Sequence, residues 1–117
     1  MFGEGGEDKL FGDAGNDTLN GGDQDDQLRG GTGDDELTGG TGNDRFNFED
    51  GWGADTITDF ANNGLEKINL FGVTGIEDIG DLTIADQAGG ALVSFGGNSI
   101  LVLGVTATQL DSSDFIF

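Results

Sequence analysis

Of 117 residues, 24 are glycine, 23 are acidic and four are basic, and histidine, cysteine and proline are absent. A net charge of −19 argues against nucleic acid and anionic membrane surfaces as partners. The missing residue types remove zinc sites, thiol chemistry, catalytic triads and disulfides. Excess carboxylates of this kind call for a hard cation as counter-charge. Abundant glycine and few apolar residues would by themselves suggest disorder. No apolar run approaches the roughly 20 residues of a membrane-spanning helix, and Met1-Phe2 leads into acidic, Gly-rich sequence with no signal-peptide pattern.

From the N-terminus, Leu10, Leu19, Leu28, Leu37 and Phe46 recur at a spacing of nine. Each follows an aspartate by two residues: Asp8, Asp17, Asp26, Asp35 and Asp44. The repeats read GEGGEDKLF (3–11), GDAGNDTLN (12–20), GGDQDDQLR (21–29), GGTGDDELT (30–38) and GGTGNDRFN (39–47). The last two fit G-G-x-G-x-D-x-U-x throughout, where U is a large apolar residue. Glu4, Asp13 and Gln24 stand where glycines belong in the first three. After the insertion Phe48-Glu49, a sixth copy (50–58) keeps Gly51, Gly53, Asp55 and Ile57.

In each repeat the glycines permit a tight turn with carbonyls pointing inward, and x-U-x makes a minimal strand with one buried side chain. Two repeats complete one coil. Coils then stack by parallel pairing at about 4.8 Å, with apolar ladders inside and aspartate columns along the turns. One apolar side chain per repeat cannot repay the entropy of ordering the turns, so the coil is expected to need a ligand. Calcium suits the donor set, because it takes six to eight carboxylate and carbonyl oxygens in flexible geometry. Magnesium demands a tighter octahedron.

Further along, Thr56-Ile57-Thr58, Ile68-Asn69-Leu70, Leu82-Thr83-Ile84, Leu92 to Phe95 and Ile100 to Leu103 read as short strands. Asn62-Asn63-Gly64, Gly89-Gly90 and Gly96-Gly97-Asn98 separate them as turns. Thr106 is positioned to cap a short helix through Leu110, another helical turn is expected between Ile76 and Leu82, and Phe115-Ile116-Phe117 is expected to add the last strand. This apolar half would cover the open end of a solenoid. No linker divides the halves, so residues 1–117 read as one domain, with repeats over 3–58 and a capping region over 59–117.

Residues 3–58 resemble the RTX (repeats-in-toxin) calcium-binding parallel β-roll. Residues 54–71 look like the segment that follows the repeats in many RTX proteins. The tail from Asp81 to Phe117 resembles the C-terminal cap of type I-secreted proteases, lipases and epimerases. The resemblance implies an all-β, right-handed β-roll in which repeats n and n+2 share one calcium ion. Carried over, the carboxylate pairs are Asp8 with Asp26, Asp17 with Asp35, Asp26 with Asp44 and Asp35 with Asp55. That gives about four internal sites, two of them sharing Asp26 and two sharing Asp35. The candidate backbone ligands are the carbonyls of Gly12, Ala14, Gly21, Asp23, Gly30, Thr32, Gly39 and Thr41. Glu4 and Gln24 are expected to weaken the sites of the first and third turns.

The function this implies is a monomeric, non-catalytic, secreted calcium-binding module that folds outside the cell and stabilises an upstream domain. Its partners would be calcium ions, that domain and the type I secretion apparatus. The chain starts mid-pattern, so it is expected to be the C-terminal piece of a longer protein, with Phe2 left from a preceding repeat. Glu7, Asp25, Asp34 and Glu36 read as solvated surface, while Trp52 and Phe11 are expected to pack between strand and cap. A glycosidase-like carboxylate pair has no isolated acid in an apolar pocket to support it, and no Lys follows GGTGND as a phosphate-binding loop requires. The alternative is a calcium-stiffened adhesin, glycan-binding or ice-binding solenoid. Position seven reads Lys9, Thr18, Gln27, Glu36, Arg45, and position nine reads Phe11, Asn20, Arg29, Thr38, Asn47, so no threonine ladder supports ice binding. Net charge disfavours an anionic sugar.

Overall fold

The computed structural model describes residues 2–3, 5–60 and 66–117. The expectations for Glu4 and for the Asn62-Asn63-Gly64 turn lie outside the described residues. Each x-U-x triplet forms a strand with only its middle side chain buried: β1 (Lys9–Phe11), β2 (Thr18–Asn20), β3 (Gln27–Arg29) and β4 (Glu36–Thr38). The insertion Phe48-Glu49 lengthens β5 (Arg45–Glu49), and its pairing with β7 (Lys67–Gly72) shifts register beyond Asn47, where the step from Asn47 to Glu49 opposes the longer one from Asn69 to Gly72. β6 (Ala54–Ile57) closes the regular repeats.

Alternate repeats pair in parallel, so the strands sort into two sheets. β1, β3, β5 and β7 stack in order and end on β11 (Phe115–Ile116), with Leu10, Leu28, Phe46, Ile68 and Phe115 in register. β2, β4 and β6 stack opposite and continue into β10 (Asn98–Leu103), with Leu19, Leu37, Ile57 and Val102 in register. These two ladders are the inward rows the spacing predicts, and together they form one apolar core with Trp52 and Val93. The chain is all-β, a parallel β-roll with a β-rich C-terminal cap.

In that cap an antiparallel meander of β8 (Thr83–Gln87), β9 (Gly90–Phe95) and β10 extends the second sheet. Pairing runs out to the two tight turns at 88–89 and 96–97, so these strands are longer than the sequence suggests. The expected helices are single 3₁₀ turns, Ile79–Asp81 and Ala107–Gln109. A third, Ser112–Asp114, escaped the sequence reading, and its cap is the Asp111 carboxylate accepting the Ser113 N–H at 2.9 Å. Trp52 is buried as expected, edge-on to Phe48 at 5.7 Å and donating its indole N–H to the Ser99 carbonyl of the cap at 3.0 Å.

Phe11 corrects another expectation. It is 48% exposed on the outer face of β1, with the Arg29 guanidinium 5.6 Å from its ring centre. As a position-nine residue it points away from the core, because only position eight of the triplet faces inward. Asp13 and Gln24 keep the left-handed turn of the glycines they replace, at φ 66° and 72°. Such a backbone costs a side-chain-bearing residue about 1–2 kcal/mol.

Candidate metal centre

Each repeat aspartate ends a turn and begins a strand, so its backbone is fixed by the coils on either side. The Asp8, Asp17, Asp26 and Asp35 carbonyls accept the N–H groups of Gln27, Glu36, Arg45 and Thr56 at 2.8–2.9 Å. The side chains are held the other way. Oδ1 of Asp26, Asp35, Asp44 and Asp55 accepts the N–H of Asp8, Asp17, Asp26 and Asp35, at 2.8, 2.8, 2.9 and 2.8 Å. The structure therefore brings together all four carboxylate pairs expected from the repeat, in two columns: Asp8-Asp26-Asp44 and Asp17-Asp35-Asp55.

Oδ2 of all six aspartates is buried and accepts no hydrogen bond. Asp26, Asp35, Asp44 and Asp55 are 1–3% exposed. A buried anionic oxygen without a partner is costly, and six in two columns amount to a demand for cations. Glycine keeps the space beside them open. A β-carbon at Gly12 would lie 2.7 Å from both Asp17 Oδ2 and the Gly30 carbonyl oxygen. One at Gly21 would lie 2.6 Å from both Asp26 Oδ2 and the Gly39 carbonyl oxygen. Carboxylate and carbonyl oxygens thus converge on one small volume, and a hard cation is the species that relieves their repulsion.

Among the candidate backbone ligands, the carbonyls of Gly21, Gly30 and Gly39 face the same small volumes as the Oδ2 atoms of Asp8, Asp17 and Asp26. At the neighbouring glycines it is the carbonyls of Asp13 and Gly15 that abut Gly31 and Gly33. The carbonyls of Gly12, Ala14, Asp23, Thr32 and Thr41 are not among the atoms nearest these glycines. The side chains of Asp23 and Thr41 instead bond to each other at the surface, at 3.0 Å. Among the described residues no group of three acidic side chains converges as a metal cluster. The donor set is pairwise, completed by backbone carbonyls.

Two acidic residues at the end of the columns were missed. Asp59 Oδ1 and Oδ2 accept the N–H groups of Gly39 and Gly40 at 2.8 and 2.7 Å, closing the turn where the next repeat would begin. Glu66 immediately precedes Lys67, which pairs with Arg45, so it stands in the row of Asp44 and is 2% exposed. The opposite column ends at Ile100, in register with Asp55. Asp25 and Asp34, read as solvated surface, also bond between coils, accepting the N–H groups of Asn43 and Ala54 at 2.7 and 2.9 Å.

Burial pushes the Asp55 carboxyl up to about 7 and that of Asp44 to about 6, and raises Asp26 and Asp35 as well. These folded-state values exceed the unfolded one, near 3.9. The cation-free roll is therefore favoured by protonation at low pH, and that contribution is lost as pH rises through about 7. In excess chelator the β-sheet signal of far-UV dichroism is therefore expected to rise as pH falls from about 7 toward 4, and a signal that stays flat or falls over that range would contradict this.

A family model for the RTX calcium-binding nonapeptide repeat, in four copies, matches residues 1–28 and 20–57. No curated protein sequence matches the chain. Among solved structures, an extracellular lipase from Serratia marcescens is similar over 99% of this chain, at TM-score 0.69 and 24% identity. The chain spans 20% of that lipase. A subunit of the Azotobacter vinelandii mannuronan C5-epimerase is similar over 95% of this chain and 78% of its own, at TM-score 0.60 and 25% identity.

Proposed function

Because residues 1–57 belong to the RTX calcium-binding nonapeptide repeat family, we propose that the chain is a non-catalytic module whose folding is switched on by extracellular calcium. The observation that carries this reading is the pair of buried aspartate columns with unpartnered Oδ2 atoms. The Asp8/Asp26, Asp17/Asp35, Asp26/Asp44 and Asp35/Asp55 pairs would hold about four ions, with carbonyls such as those of Gly30 and Gly39 completing them. Calcium supplies the positive charge that lets the columns be buried. Without it, like charges stacked at the spacing of parallel strands oppose the coil.

At the low free calcium of a cytosol, sites of extracellular strength, with Kd around 10⁻⁴–10⁻³ M, stay empty. The chain would then remain extended for export by a type I apparatus and fold as one monomeric module outside the cell. The chain spans a fifth of the similar lipase, and this reading places the module beside a larger upstream domain that it would stabilise. No helix among the described residues is long and apolar enough to cross a membrane.

The test is a calcium titration at neutral pH. Far-UV dichroism should show a largely disordered chain in excess chelator and a β-rich one at millimolar calcium. A native-like spectrum unchanged by chelation would overturn the proposal.

A further inference from the structure

Each turn of the roll is held by the coil that follows it. The Asp8, Asp17, Asp26 and Asp35 N–H groups donate to a carboxylate one coil on. The Gly3, Gly12 and Gly21 N–H groups donate to the carbonyls of Asn20, Arg29 and Thr38. At the sixth repeat this supply ends, because the next strand beyond β6 in its sheet is β10 of the cap. The turn at 50–55 carries Asp55, the last aspartate of its column, with Oδ2 buried and unpartnered. Ser99 and Ile100 stand where a further coil would face Ala54 and Asp55. Ile100 offers no carboxylate, so the column stops.

What the cap supplies instead is a grip on the turn. Asn98, the first residue of β10, accepts the Gly53 N–H through Oδ1 at 3.0 Å. Ser99 donates its own N–H to the Gly53 carbonyl at 2.9 Å, and its carbonyl accepts the Trp52 indole N–H at 3.0 Å. Two consecutive cap residues thus hold both backbone polar groups of Gly53. From the coil before, Asp34 accepts the next N–H along, that of Ala54, at 2.9 Å. Gly53 has no side chain to brace it and takes φ 88°, where a β-carbon would lie 2.4 Å from the Gly33 carbonyl oxygen. Such a residue is the loosest point of a turn unless its neighbours fix it. The Ser99 bond is one that a strand backbone can make with any side chain. The Asn98 bond needs an acceptor of that length.

We propose that Asn98 is a positioning residue for the last cation site: by fixing Gly53 it sets the turn that aims Asp55 at the ion shared with Asp35. The inference rests on the calcium-binding reading and adds the residue through which the cap acts on one particular site. The coupling is reciprocal. An ion between Asp35 and Asp55 favours the docked β10, and the docked β10 raises the affinity for that ion. The cap therefore closes on the second column in the same step that fills its last site.

Terbium is the probe, as an oxygen-seeking stand-in for calcium. Trp52 is the chain's one tryptophan and stands three residues before Asp55, so terbium in the last site is the ion it excites best. One titration yields two midpoints, far-UV dichroism for the whole roll and Trp52-excited terbium emission for that site. In the parent the two should coincide. In Asn98→Ala the dichroism midpoint should stay within about twofold, while the emission midpoint rises about five- to tenfold for one lost hydrogen bond. Asn98→Leu, which keeps the shape without the acceptor, should split the midpoints in the same way. Asn98→Asp, which keeps the acceptor, should hold them together. Val93→Ala weakens the cap from its buried side and should move both midpoints equally. Coincident midpoints in Asn98→Ala and Asn98→Leu, an equal split in Asn98→Asp, or a split in Val93→Ala would overturn the proposal. So would loss of all folding in both Asn98→Ala and Asn98→Leu, since a role at one site leaves the others able to order the roll. A parent chain that does not fold with calcium sinks the functional reading instead.

Discussion

Asp35→Asn is expected to raise the calcium midpoint of folding by at least about tenfold and to broaden the transition, while Asp8→Asn shifts it several-fold less. Asp35 sits mid-column, its Oδ1 accepting the Asp17 N–H and its own N–H donating to Asp55 Oδ1, both at 2.8 Å. If asparagine keeps the Oδ1 bond, its NH₂ group takes the place of Oδ2, so a donor points where a cation is wanted. Both sites that share Asp35 then lose a charged ligand, and because each occupied site orders its neighbours, the losses should compound. Asp8 belongs to one pair and is only half-buried at the first coil. Asp34→Asn is the control, since Asn16 in the same row already accepts the Asp34 N–H through its amide oxygen at 2.8 Å. Asparagine at 34 can therefore keep the bond to Ala54, and its midpoint should stay within about twofold of the parent. Calorimetric titration of the three variants decides the matter. Equal shifts for Asp34 and Asp35 would mean that bulk charge, not ligand geometry, controls binding.

Asp35 and its partners were legible because a nine-residue period fixes three things at once: which side chain is buried, which carboxylate ends the turn, and which repeats stack. The same period made Phe48-Glu49 visible as an insertion, and the extension of β5 to Glu49 is its structural expression. What escaped lay where the period fails or where it must be read two repeats at a time. Asp59 and Glu66 continue the turn and the acid row with altered residue types and extra chain between them, so no fixed spacing reveals them. The gathering of all four basic residues on one sheet was hidden for a different reason. Read in sequence order, position seven alternates Lys9, Thr18, Gln27, Glu36 and Arg45 and looks mixed. Read every eighteen residues, as the Asp8–Asp26 bond joins the coils, it separates into Lys9-Gln27-Arg45 and Thr18-Glu36. Phe11 was misplaced because an aromatic residue was given a core role that its outward position forbids.

Removal of residues 89–117 is expected to abolish cooperative calcium-driven folding altogether. That segment contains β9, β10 and β11, so its loss uncovers the edge of both sheets at once: β6 loses β10, and β7 loses β11. β8 survives without the partner that joins it to the sheet. Ala91, Val93, Ile100, Val102, Val105, Leu110 and Phe115 leave the core, and the Trp52 indole loses its acceptor at Ser99. Seven buried apolar side chains at about 1.5–3 kcal/mol for the larger ones amount to the whole stability of a small domain. The calcium sites would keep every side-chain ligand proposed here, since Asp55 is the last of them. Ion binding alone would then have to order coils whose final strands face water with unpaired N–H and C=O groups. The truncated chain should remain disordered at millimolar calcium or associate through the exposed edges of β6 and β7, as dichroism and light scattering would report. A truncated chain that folds at the parent's calcium midpoint and stays monomeric would show that the ions suffice and that the cap only covers a roll they have already built.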